Sequence, residues 1–120
     1  MIGVVDKYGR ALLDVRISNK RNGEYSAVTT WIDTAFDGHL VLSLAMIKEL
    51  ELESLVETEA ILADGSRVCL DTFFCYVDWF GEELPLQVIA NDGRYPLLGT
   101  SLLEHRVLHI DYPQKRVSLD

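Results

Sequence analysis

Two cysteines, three prolines and eight glycines are all that this 120-residue chain spends on residues that staple or break a backbone. A disulfide-dense miniature scaffold is excluded by that count, and so is a low-complexity or collagen-like chain. Positive charge is also scarce: 11 Lys and Arg stand against 19 Asp and Glu, for a net charge of −8. The only basic pairs are Lys20-Arg21 and Lys115-Arg116. Nucleic acid and anionic membrane both need a basic face, so neither is expected as a partner. No apolar run approaches the roughly 20 residues of a membrane span. The opening Met1-Ile2-Gly3-Val4-Val5-Asp6 meets charge too early for a signal peptide, which makes the cytoplasm the expected compartment.

Metal-ligand patterns are missing too. His105 and His109 stand four apart, but Arg106 to Ile110 alternates as a strand does, and His39 is isolated. The acidic stretch Glu49, Glu51, Glu53, Glu57 and Glu59 lacks the clustered ligands and turn glycine of a Ca²⁺ loop and reads as a solvated surface. No glycine-rich phosphate loop, nucleophile elbow or Ser-His-Asp set stands out, and no metal or organic cofactor is expected.

What is present is 48% apolar residues in a length suited to one domain, residues 1–120. Gly3 to Val5 and Ala11 to Ser18 predict a hairpin, the second strand placing Ala11, Leu13, Val15 and Ile17 on one face. Asn22-Gly23 signals a further hairpin, and Tyr25 to Ile32 predicts the next strand. Leu40 to Leu42 follows as a short strand. Ser43 to Leu52 predicts a helix with Ser43 as N-cap and Leu44, Ile47 and Leu50 on one face. Thr58 to Ala63 and Ser66 to Trp79 predict a long hairpin closed by a tight type I′ turn at Asp64-Gly65. Cys69 and Cys75 would then share a strand about 20 Å apart, too far to pair, leaving two buried thiols. Phe80-Gly81-Glu82-Glu83 turns the chain, and Leu84 to Ala90 returns as a strand whose Pro85 suits an edge or a beginning. After the loop Asn91 to Pro96, a short helix is capped by Thr100 or by a Ser101…Glu104 box. Val107 to Ile110 and Arg116 to Leu119 close the chain as a hairpin. Many short strands and one or two short helices predict a mainly β, antiparallel domain, small and barrel-like.

The stretch with chemical promise is Trp31-Ile32-Asp33-Thr34-Ala35-Phe36-Asp37-Gly38-His39-Leu40-Val41-Leu42. An acid between two apolar runs is costly to desolvate unless it is hydrogen-bonded or has a task. Asp33 could simply cap nearby amides as an Asx-turn does. The pattern of two apolar residues, Asp-Thr-small and then Gly-x-Leu-x-Leu nevertheless resembles the catalytic loop of the retroviral-type (retropepsin-like, clan AA) aspartic proteases. Leu97-Leu98-Gly99 leading into a helix resembles that family's second element, and Asp64-Gly65-Ser66 falls where the family carries a flap hairpin.

The resemblance implies a small closed β-barrel of acid-protease type, with Asp33, Thr34 and Ala35 as the catalytic motif. Asp71-Thr72 repeats its first two residues, but Phe73 follows where a small residue is needed, so one chain supplies one suitable aspartate. The second carboxylate would come from another copy, making a homodimer part of the expected chemistry. Carboxyls brought close share one proton: one draws a proton from the attacking water while the other polarises the peptide carbonyl. Thr34 would hydrogen-bond across the two-fold axis, and Ala35 stands where the family usually has glycine. Gly38 would let the chain turn, and Asp64, Gly65 and Ser66 would close over an extended peptide or protein substrate. Leu97, Leu98 and Gly99 would support the loop from beneath. The alternative of a different class keeps the fold without the activity, as an inactive dimeric peptide-binding or interaction domain.

Overall fold

The computed structural model describes residues 1–55, 58–61, 63–70, 72–91, 93 and 95–120. The strands are β1 (Ile2–Val5), β2 (Ala11–Ser18), β3 (Ser26–Ile32), β4 (Leu40–Ser43), β5 (Glu53–Ser54), β6 (Thr58–Ile61), β7 (Arg67–Leu70), β8 (Thr72–Trp79), β9 (Glu82–Asn91), β10 (Leu97–Leu98), β11 (Leu108–Asp111) and β12 (Arg116–Leu119). Two short helices, α1 (Leu44–Glu49) and α2 (Thr100–Leu103), follow β4 and β10. The architecture is mainly β, as the sequence pattern requires.

Among the described residues, ten strands form one sheet in the order β11-β12-β1-β2-β3-β10-β4-β9-β8-β5, and β6 and β7 form a second sheet of their own. β8 also pairs back onto β2, with Arg16, Ile17 and Ser18 opposite Asp78, Val77 and Tyr76. The path from β2 through β3, β10, β4, β9 and β8 therefore returns to β2. Most pairings are antiparallel, but β10 runs parallel to β3 and β9 parallel to β4. The reading of a mainly antiparallel domain holds, and those two parallel pairings are the exceptions to it.

The period-2 pattern of β2 does what it predicts. Ala11, Leu13, Val15 and Ile17 are buried while Asp14 and Arg16 face out. They pack with Ile32, Leu40, Leu42, Val77, Val88, Leu98, Val117 and Leu119 in one continuous core. Thr30, buried beside them, satisfies its hydroxyl by donating to the Leu13 carbonyl at 2.7 Å.

Several local expectations change. The Asn22-Gly23 pair does not close a two-residue hairpin; Ile17 opposite Ser26 is the last β2–β3 pair, and Asn22 sits at φ +56 within a wider turn. The expected turn after Trp79 is a tight two-residue one at Phe80-Gly81, between the paired Trp79 and Glu82, both central residues having positive φ. The predicted strand from Ser66 to Trp79 is two strands in two sheets, so Cys69 and Cys75 do not share one. Cys75 is a free, fully buried thiol. Helix α1 keeps the Ser43 cap, whose hydroxyl accepts from the Met46 amide at 3.2 Å. Ile47 is buried on it, but Leu44 is 40% exposed rather than part of the inner face. Asp71 lies outside the described residues.

Candidate active site

Strand β3 alternates exposed and buried residues up to Trp31 and Ile32, and its next residue is Asp33. The two-residue strand β10 is wedged between the arms of the loop that follows. Leu97 and Leu98 sit opposite Trp31 and Ile32 on one side and opposite Val41 and Leu40 on the other. The Trp31 amide donates to the Pro96 carbonyl at 2.8 Å and the Asp33 amide to the Leu98 carbonyl at 2.9 Å. Leu98 is fully buried, and truncating such a leucine costs about 2–5 kcal/mol.

Beyond β10 the chain ties the loop down residue by residue. The Gly99 amide donates to the His39 carbonyl (2.8 Å), the Thr100 amide to Phe36 (2.8 Å) and the Ser101 amide to Gly38 (3.2 Å). The hydroxyls add two more bonds, Thr100 Oγ1 to the Phe36 carbonyl at 3.2 Å and Ser101 Oγ to the Asp37 carbonyl at 2.5 Å. This corrects the predicted caps. The N-cap of α2 is Gly99, with no side-chain cap bond, because the two hydroxyls serve the loop instead.

Asp33 is half-exposed at the top of this assembly. Its Oδ1 accepts the Ala35 amide at 2.9 Å, the capping bond that an Asx-turn makes. Among the described residues its other oxygen has no partner. A cleft of about 380 Å³ opens beside it, lined by Trp31, Ile32, Asp33, Thr34 and Leu97. Trp31, which lines the cleft, meets Tyr95 edge to face at 6.4 Å. The Arg10 guanidinium lies 4.2 Å from the Tyr95 centroid and 5.6 Å from that of Trp31. Arg10 is itself fixed by Asp6, Nε to Oδ2 at 2.7 Å.

The chain has no family-model match and no match among curated proteins. Solved structures give a clear answer. A retropepsin-like aspartic protease from Rickettsia conorii is similar over 99% of this chain and 88% of its own, with a TM-score of 0.70 and 19% identity.

This chain has the retropepsin-like fold.

The same architecture appears in the EIAV protease complexed with the inhibitor HBY-793, with a TM-score of 0.57 and 17% identity over 83% of this chain and 90% of that one. It appears again in the retroviral protease-like domain of Ddi1 from Leishmania major, with a TM-score of 0.52 and 14% identity over 91% and 88%. The likeness at these identities is one of fold.

Within this retropepsin-like fold, Asp33, Ala35, Gly38, Leu97, Leu98 and Gly99 are drawn into one bonded unit, and Thr34, exposed, lines the cleft beside them. Ala35 is not at positive φ, so an alanine there carries no left-handed backbone strain. Gly38 also lies outside the left-handed region. What it supplies is room rather than torsional freedom: a Cβ on it would sit 2.5 Å from the Phe36 ring, and one on Gly99 would sit 2.2 Å from the Gly38 carbonyl oxygen. Asp64, Gly65 and Ser66 stand apart from the unit, in the β6–β7 hairpin. Ile61 stands opposite Arg67, a register in which Ala63 and Ser66 do not face each other, so Asp64-Gly65 is not the predicted two-residue turn. Asp64 folds the tip on itself, Oδ1 accepting from the Ser66 amide (2.9 Å) and hydroxyl (2.5 Å). Those bonds from Ser66 hold the Asp64 carboxyl below its ordinary pKa. His39 is half-buried behind the loop, and burial lowers its pKa.

Sequence reasoning missed Phe36. Its carbonyl takes both Thr100 bonds, its amide donates to the Asp33 carbonyl at 3.2 Å, and its ring fills the space over Gly38 and Gly99. An aromatic between Asp33 and Gly38, with a second glycine at 99, was the available signal. The inner role of Thr100 and Ser101 had no sequence signal, since the same pair is what a helix cap looks like.

Proposed function

We propose that this chain is a homodimeric aspartic endopeptidase, hydrolysing peptide bonds with a water activated between Asp33 and Asp33 of a second copy. Residues 1–120 act as one retropepsin-like domain, its circuit of strand pairings making a small closed barrel. The observation that carries the reading is the Asp33 carboxyl: half-exposed at a cleft, with one oxygen held by Ala35 and its loop bonded to residues 98–101. A carboxyl used only as a cap has no need of so firm a foundation or of an adjoining cleft.

In the dimer the two carboxyls share one proton across the axis. The ionised member takes a proton from the water as its oxygen attacks the peptide carbonyl, and the protonated member donates to the carbonyl oxygen. Thr34, exposed in the single chain, bonds to the opposite loop across the two-fold axis. Ala35 completes the catalytic motif where the family usually has glycine, and Gly38 lets the chain turn into β4 on the substrate side. Asp64, Gly65 and Ser66 form the tip of a hairpin that closes over the extended substrate and excludes water. Leu97, Leu98 and Gly99 hold the loop from beneath. The chemistry needs no metal or cofactor, and the reading assigns the protein to the cytoplasm.

The test is cleavage of an unfolded protein at mildly acidic pH. Turnover is expected to respond to a statine-type inhibitor and to vanish in Asp33→Asn while the variant keeps its melting temperature. Cleavage that survives Asp33→Asn rejects the mechanism. A folded dimer that retains peptides without cutting them is instead an interaction domain.

A further inference from the structure

Strand β3 is paired along nearly its whole length on one side and only at its end on the other. β2 accompanies it from Ser26 to Trp31, but β10 reaches only Trp31 and Ile32. The Trp31 amide donates to Pro96, away from β2. With a period of two, the amides and carbonyls of Thr29 and Ala27 point the same way. Among the described residues no backbone bond reaches them from that side.

The open edge faces a groove. One part, about 450 Å³, is lined by Ala27, Val28, Thr29, Met46, Leu50 and Pro96. A second part, about 580 Å³, continues past Ser26 and carries Glu24, Glu49 and Glu51 against a single Lys20. Neither part shares a lining residue with the Asp33 cleft. An unpaired strand edge is a template for another strand, and proteins normally cover, shorten or charge such edges. Here the edge lies beside an apolar floor and an acidic wall.

We propose that the free edge of β3 is a second binding site, which takes an extended basic peptide segment by strand addition. The peptide bonds to the amides and carbonyls of Ala27 and Thr29, its apolar side chains lie on Val28, Met46 and Leu50, and its Lys or Arg side chains face Glu24, Glu49 and Glu51. Main-chain bonds supply affinity and the alternate side chains supply selection. The open stretch from Ser26 to Thr30 spans about 16 Å, room for four or five residues.

The probe is an acetylated, amidated Val-Lys-Val-Lys-Val-Lys peptide, with Val-Glu-Val-Glu-Val-Glu as control, titrated into the full chain. Binding of the basic peptide is expected to slow hydrogen exchange at the Ala27 and Thr29 amides and to persist with a statine-type inhibitor present. Ala27→Pro removes a donor that β2 does not use and should weaken binding at least tenfold, as should Glu49→Lys on the exposed face of α1. If Ala27→Pro does not fold, Glu49→Lys and the Thr29 amide decide. Protection elsewhere, equal binding of the acidic peptide, or unchanged affinity in both variants overturns the proposal. So does no binding up to millimolar peptide, or concentration-dependent protection without peptide, which makes the edge a contact between copies.

Discussion

Gly99→Ala isolates the contact on which the Asp33 loop rests. The added methyl would lie 2.2 Å from the Gly38 carbonyl oxygen, 2.6 Å from Phe36 Cδ2 and 2.9 Å from the Gly38 carbonyl carbon. Two of these neighbours are backbone, so no side-chain rotation relieves them. To reach ordinary contact the loop or α2 must retreat by roughly an ångström, an overpacking cost of about 1–3 kcal/mol. A shift of that size breaks the weakest of the five bonds from residues 99–101, beginning with Ser101 N to Gly38 O at 3.2 Å. Each lost bond adds about 1 kcal/mol. Together these predict about 3 kcal/mol and a melting temperature lower by about 10 °C, read by circular dichroism. Gly65→Ala is the control. Gly65 has φ +86 with nothing within 4 Å of a new Cβ, so its cost is confined to the left-handed conformation, about 1 kcal/mol. If Gly99→Ala melts within about 2 °C of the parent, or no lower than Gly65→Ala, the packing argument for the loop is wrong.

Other outcomes follow from groups away from the cleft. The Tyr25 hydroxyl donates to Glu83, a bond that raises the Tyr25 pKa to about 12 and lowers that of Glu83. The tyrosine contributes stability that is whole below its unfolded value near 10 and is lost as pH rises through about 12. The glutamate contributes stability present above its unfolded value and lost as pH falls through its folded one. Tyr25→Phe should therefore destabilise most between about pH 5 and 10, with the gap to the parent shrinking outside that window in urea titrations. Burial pushes the Cys75 thiol up to about 12, so mass mapping after iodoacetamide at pH 8 should find Cys75 unmodified in the folded chain and alkylated in urea.

How much of this was legible in the sequence depended on whether one residue or a meeting of distant residues carried the signal. The alternation of β2, the Ser43 cap and the delivery of Asp33 at the end of β3 are local, and the pattern predicts them directly. Leu97-Leu98-Gly99 was legible through its resemblance to a known element, and the structure sets it against Trp31, Ile32, Leu40 and Val41. Turns were read less well, because Asp-Gly and Asn-Gly pairs serve wide loops as readily as tight ones. A turn at Phe80 to Glu83 is legible from Gly81, but its two-residue form is not, since Phe80, at φ +53, has no propensity for the left-handed region. Thr100 and Ser101 were misassigned because a hydroxyl at a helix start can bond its own helix or a neighbouring loop. Only the loop's position decides. The open edge of β3 was invisible for a related reason: it depends on how short β10 is, and nothing within β3 itself encodes that.

The central claim is that Asp33 works as one of a pair. The most direct measurement is the separation of the two Asp33 carboxyls in a crystal structure of the protein with a statine-type inhibitor. The account predicts a two-fold dimer with the facing oxygens within hydrogen-bond reach, about 3 Å or less. A monomer, or a dimer whose Asp33 side chains face separate solvent, contradicts it.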